Sequence, residues 1–178
     1  DGLNNYIKNS GTILVLGMFD GLHLGHMALF QKAMEIKEDK TVTVLTFSNH
    51  FKGVKRAFKM IMTSEEKAEA LKQIGVDELI MQRVNQELMD THPIDFVRII
   101  KDKINVKSIV VGYDYTFGKY GAGDISMLKN NFDSVYVIDK IELCGEKISS
   151  TCLRECVRNC DFEKFEKSKE TFRLSNRD

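Results

Sequence analysis

No surplus of charge marks this chain: 26 Lys and Arg balance 26 Asp and Glu. A neutral sequence sets up no global field that recruits nucleic acid or an anionic membrane, so any affinity for phosphate has to be local. No apolar run reaches the length that crosses a bilayer, and no secretory leader is visible. Two common nucleotide-binding fingerprints are missing as well. There is no Gly-x-Gly-x-x-Gly, which disfavours a Rossmann dinucleotide site. There is no phosphate loop ending in Gly-Lys-Ser/Thr, which argues against that class of kinase or NTPase. The four cysteines, Cys144, Cys152, Cys156 and Cys160, follow none of the usual zinc spacings and have no histidine beside them. The last three repeat every four residues and read as a thiol-lined, half-buried helix face. A reducing, cytoplasmic compartment is expected.

What is present fits one globular domain: 178 residues, 43% hydrophobic and 29% charged, enough to bury a substantial core. Apolar runs at 13–16, 42–47, 78–81, 108–112 and 134–138 read as strands, and several are Val/Ile-rich without clear alternation, as strands buried on both faces of a parallel sheet should be. Helical patterns lie between them at 24–37, 64–74, 93–103 and 125–131. Thr63 with Glu66 forms a capping box, Gly75 a helix stop, and the single proline, Pro93, a first helical turn. Residues 141–148 read as an edge strand or a hairpin turning at Cys144-Gly145-Glu146, followed by a helix over 153–159. The expected fold is a doubly wound α/β sheet with right-handed crossovers and its ligand at the carboxyl ends of the strands. From Asp161 onward the chain turns polar, as a surface helix and tail would.

The segment Gly17-Met18-Phe19-Asp20-Gly21-Leu22-His23-Leu24-Gly25-His26 falls between the first strand and the first helix. A helix start offers unpaired N–H groups and the positive end of a dipole, which favours phosphate. Glycines allow close backbone approach there, and imidazoles add donors that can carry charge near neutral pH. Further candidates sit after other strands: Thr46-Phe47-Ser48-Asn49-His50-Phe51, Val111 to Lys119 with Gly123-Asp124, and Ile148-Ser149-Ser150-Thr151-Cys152-Leu153-Arg154. Each has a plainer reading. Phe47, Phe51 and Phe117 also suit core packing, Asp114 a turn or cap, and Ser149-Ser150-Thr151 a helix cap. His92 reads as a solvated cap neighbour, and the cluster Lys52, Lys55, Arg56 and Lys59 as a solvated loop or a lid.

The first segment resembles the His-x-Gly-His signature of the nucleotidylyltransferases, and in its full length that of the FMN adenylyltransferase module of bacterial FAD synthetases. The other segments resemble that family's motifs in the same order, as does Met62-Thr63-Ser64 with Glu66-Lys67, over about residues 13–155. The resemblance implies a Rossmann-like nucleotidylyltransferase fold and transfer of AMP from ATP to FMN, with magnesium, giving FAD and pyrophosphate. It implies His23, His26 and Arg154 as catalytic residues. Gly17, Phe19, Asp20, Gly25, Ser150 and Thr151 would hold ATP, and Phe47, His50, Phe51, Asp114 and Phe117 would hold FMN. The motifs name no ligands for the metal and leave the oligomeric state open.

The sequence departs from the family pattern at Asn49 and Phe51, where prolines are usual, so a more mobile or differently shaped flavin-side loop is expected. Gly121-Ala122 stands where an arginine is usual. Residues 1–160 are expected to form the nucleotidyltransferase domain and 161–178 a surface helix and tail, with the family's riboflavin kinase module absent. Two other functions stay open: a related transferase using another phosphate-bearing acceptor or CTP, and a module that binds nucleotide or flavin without turnover.

Overall fold

Thr12–Leu16 forms β1 and is buried along its whole length, which places it at the centre of the sheet. The computed structural model describes residues 3, 6, 11–51, 59–143 and 146–167. After β1 come α1 (Leu24–Glu35), β2 (Thr41–Phe47), α2 (Ser64–Ile74), β3 (Glu78–Gln82), α3 (Gln86–Asp90), α4 (Pro93–Lys103) and β4 (Val106–Gly112). A 3-10 turn at Lys119–Gly121, α5 (Ile125–Asn131), β5 (Val135–Ile138), β6 (Glu142–Leu143), β7 (Glu146–Lys147), α6 (Ser150–Arg158) and α7 (Phe162–Lys167) complete the order. β1 to β5 form one parallel sheet in the order β3-β2-β1-β4-β5. The chain starts at the centre and winds outward in both directions, so a crevice opens between the ends of β1 and β4.

Alternation along the strands feeds two cores. Leu14, Leu16, Leu45, Ile109 and Val111 pack on one face with Phe96, Val97 and Ile100 of α4 and Leu128 of α5. Ile13, Val15, Val42, Val44 and Val110 pack on the other with Leu29, Phe30 and Ala33 of α1 and Leu71 of α2. The doubly wound single-domain α/β fold expected from the apolar runs is the one observed, and β6–β7 is the antiparallel hairpin that the 141–148 pattern allowed.

The helix signals operate as read. Thr63 and Glu66 make a reciprocal capping box, Gly75 closes α2 in the left-handed region (φ 96°), and Pro93 opens α4. Three details differ. α3 was not anticipated, because a single turn capped by the Asn85 carboxamide is too short to show periodicity. α6 begins at Ser150 rather than Leu153, since the Ser149 hydroxyl accepts the Cys152 N–H at 3.2 Å and nucleates the helix earlier. The helix ends at Arg158, so Cys160 lies past it with φ 55°; Cys152 is half-buried, Cys156 buried and Cys160 exposed. Cys144 and Gly145, Lys52, Lys55 and Arg56, and the tail from 168 lie outside the described residues. No described helix is long and apolar enough to cross a membrane.

Candidate active site

Between β1 and α1 the backbone makes an unusual turn. Phe19 (φ 49°) and Leu22 (φ 43°) both occupy the left-handed region, where only glycine is at ease, and Gly21 between them has φ 90°. Phe19 is fully buried and folds its ring back over Gly17, where an added Cβ would sit 2.6 Å from a ring carbon. The ring then meets His26 edge-on, with centroids 5.2 Å apart and planes 77° apart. Gly17 is thus the space that lets Phe19 prop the histidine.

His23 occupies the N-cap position of α1 and makes no side-chain cap bond. Its ring stacks on that of His26, and Nδ1 of each ring is buried without a hydrogen-bond partner among the described residues. Burial, then the Lys147 ammonium, push His23 down to about 4 against a smaller upward pull from Asp114. Burial, then His23 and Lys67, hold His26 well below the usual histidine range. Both rings are therefore neutral at pH 7, poised to donate to an anion or to take up a proton beside one.

The second wall follows β2. Phe47 and Phe51 meet edge-to-face at 4.9 Å. Between them Asn49 does what the missing proline would have done. Its carboxamide donates to the Val84 carbonyl at 3.0 Å and accepts the Val84 N–H at 2.8 Å, continuing the β2–β3 pairing beyond the strand ends. The backbone N–H of Ser48 also reaches the Gln82 carbonyl at 3.1 Å. At residue 49 a side-chain clamp stands where the family's proline would constrain the backbone, and residues 52–58 of the loop lie outside the described residues.

A third group lies behind the cradle. Asp20 is fully buried; its carboxylate accepts the N–H groups of Ile61 (2.8 Å) and Met62 (3.2 Å) and pairs with the Arg154 guanidinium. The Ser150 hydroxyl donates to the Asp20 carbonyl at 2.7 Å. The turn before α1 is thereby fastened to the start of α6. Lys67, buried within α2, donates to the carbonyls of Met18 (2.9 Å) and Phe47 (2.8 Å). Burial lowers it to about 8, opposed by the nearby Asp20 charge, so it remains mostly protonated at neutral pH.

These walls enclose a cavity of about 420 Å³ at the β1–β4 crevice. It brings together Gly17, Phe19, His23, Gly25, His26, Phe47, Phe51, Asp114, Phe117, Ser149 and Ser150. Asp20, His50, Thr151 and Arg154 do not line it. Phe117 serves both of its readings, lining the cavity while packing on Phe96 at 5.2 Å. Sequence reasoning gave no role to Lys147, which lines the cavity, bonds the Asp114 carboxylate at 2.8 Å and lies 4.8 Å over the Tyr113 ring. Its place in an edge hairpin hid it; its position just before the Ser149-Ser150 turn was the available signal. The N-termini of α1 and α6 both open here, giving two sets of backbone donors suited to phosphate. No group of three His, Cys, Asp or Glu residues among the described ones is arranged to hold a metal ion.

Over 160 residues the chain is 32% identical to a bifunctional riboflavin kinase/FMN adenylyltransferase of Listeria monocytogenes, covering 85% of this chain and 51% of that protein. A Bacillus subtilis protein of the same description is 31% identical over 165 residues, covering 88% and 52%. A Listeria monocytogenes FAD synthetase is 32% identical over 164 residues, covering 87% and 67%. The chain thus spans about half the length of the bifunctional relatives. A Streptococcus pneumoniae crystal structure described as a macrolide-efflux protein superposes with a TM-score of 0.80 at 30% identity, over 88% of this chain and 55% of that one. The FAD synthetase family model matches residues 6–152, and with that span and these relatives the chain belongs to the FAD synthetase family.

Proposed function

We propose that this chain transfers AMP from ATP to FMN, giving FAD and pyrophosphate. The observation that carries the reading is the stacked His23–His26 pair at the start of α1, facing the same cavity as Phe47, Phe51 and Asp114. Phosphate-binding and aromatic walls meet there, as a reaction joining a triphosphate to a flavin phosphate requires.

In the proposed step, a phosphate oxygen of FMN attacks the α-phosphorus of ATP in line. The new P–O bond forms as the bond to the β-phosphate oxygen breaks, and pyrophosphate leaves with the electron pair. No covalent enzyme intermediate is needed, so positioning and charge stabilisation carry the rate. We assign His23 and His26 to the triphosphate, with His26 answering the charge that develops on the leaving group. Gly17 and Gly25 keep the backbone close, Phe19 props His26, and Ser150 and Thr151 offer donors at the start of α6. Arg154, held by Asp20, is assigned to the phosphate side. Phe47, Phe51, Asp114 and Phe117 take the flavin side, with His50 beside them. Magnesium accompanying ATP would find Asp114 and Asp139 as the carboxylates lining the cavity to hold it. Its contribution is to neutralise phosphate charge. Residues up to about 160 form the working domain, and the free thiols of Cys152, Cys156 and Cys160 suit the reducing cytoplasm.

The altered flavin-side loop favours one second reading, a transferase with another phosphate-bearing acceptor or with CTP. One assay separates the readings. Incubation with ATP, magnesium and FMN should give FAD and pyrophosphate in equal amounts. Pyrophosphate only with another acceptor or nucleotide establishes the second reading, and binding without turnover establishes a non-catalytic module.

A further inference from the structure

One buried charge takes no part in the scheme above. Lys67 is 1% exposed and does not line the cavity, yet its ammonium reaches two carbonyls that belong to adjacent segments following β1 and β2. Met18 lies in the turn that leads into the histidine pair; Phe47 ends β2 and begins the aromatic wall. Both residues line the cavity. The Met18 carbonyl also accepts the Thr46 hydroxyl at 2.9 Å, so two donors converge on it, one from β2 and one from α2. A lysine this deep is unfavourable unless its protons are used, and an apolar residue would suit a purely structural helix face better.

We propose that Lys67 is a positioning residue that fastens the triphosphate-binding turn to the acceptor-binding loop from behind, fixing the spacing of the two substrates. The proposal rests on the AMP-transfer reading for its rate effect only. In-line attack demands a reacting distance near van der Waals contact, and a misplacement of about 1 Å costs roughly a hundredfold in rate. Loss of the clamp should therefore appear in the reaction of bound substrates more than in the binding of either alone.

The test compares the full chain with Lys67→Met, which keeps the length and removes the donors, and Lys67→Arg, which keeps the charge with another reach. In folded Lys67→Met, kcat at saturating ATP and FMN should fall at least about tenfold, with each KM within about threefold. Lys67→Arg should recover part of the loss. Wild-type kcat in folded Lys67→Met overturns the proposal. If that variant does not fold, Lys67→Arg decides: reduced kcat supports the clamp and an unchanged kcat overturns it. A second readout needs no turnover, namely the titration of His26 followed by its ring proton resonances. His26 feels burial, His23 and Lys67; His23 feels Lys147 and Asp114, and Asp20 with its partner Arg154 completes the surrounding charges. Removing the Lys67 charge should raise the His26 midpoint. Should wild type make no FAD, the acceptor reading fails separately, and an unmoved midpoint then overturns the Lys67 proposal.

Discussion

His23 and His26 stack face to face, with ring centroids 3.6 Å apart and planes 22° from parallel. Two charged imidazoles cannot share that geometry without strong repulsion, and burial alone already disfavours charging either. The pair is thus a neutral device in the free protein that becomes easier to protonate once a triphosphate lies against it.

Folding stability should record this. His23 titrates near 4 in the folded chain and near 6.5 when unfolded. Between those values the unfolded chain holds a proton that the folded chain refuses. The stability of the neutral pair is therefore complete above pH 6.5 and is lost as pH falls through 4, by up to about 3 kcal/mol for His23. Urea unfolding at pH 7.5 and 5.0 should show the decline, and His23→Gln should reduce it. Equal declines in the two proteins would mean that the histidine is not the source.

Gly17 and Phe19 give a second expectation. A methyl group on Gly17 would meet the Phe19 ring at 2.6 Å, and that ring is the prop for His26. Gly17→Ala should cost about 1–3 kcal/mol through overpacking. FAD formation should fall more than tenfold because the imidazole shifts with the ring. Thermal unfolding and initial rates check both halves; a destabilised protein with unaltered kcat would detach Phe19 from catalysis.

The Asn49–Val84 clamp predicts a one-sided effect. Asn49→Ala removes both bonds of the carboxamide and should destabilise by about 1–2 kcal/mol. Because the clamp lies between Phe47 and Phe51, KM for FMN should rise several-fold while KM for ATP stays near its original value. Parallel changes in both would indicate general loosening of the fold.

Much of the architecture was legible because it is local. Apolar runs announced five strands, of which the edge strands β3 and β5 are only half-buried, and Thr63, Gly75 and Pro93 marked their helix ends by capping chemistry that acts within one turn. The glycines and histidines after β1 likewise announced a phosphate turn. The hidden parts depend on partners far away in sequence. Lys67 follows two glutamates and looks like a solvated helix face; only α2's docking beneath residues 18 and 47 reveals it as buried. Asn49 read as a lost proline because its partner is 35 residues away. Arg154 read as a phosphate ligand, with no sign that a carboxylate 134 residues earlier would claim its guanidinium.

That last pair supplies the fourth prediction. Asp20 is fully buried, and in Arg154→Met its carboxylate would keep only the N–H groups of Ile61 and Met62. Breaking one side of a buried pair costs about 3–5 kcal/mol, much of it from the stranded charge. Adding Asp20→Asn removes that charge, so the double variant should recover most of the stability. FAD formation should not recover with it, because the assigned contribution of Arg154 to the phosphates is absent from both variants. Denaturant midpoints and single-turnover rates on the four proteins of the cycle separate the effects. Turnover restored together with stability would reduce Arg154 to a support for the Asp20 turn and leave phosphate stabilisation to the histidines and the two helix starts.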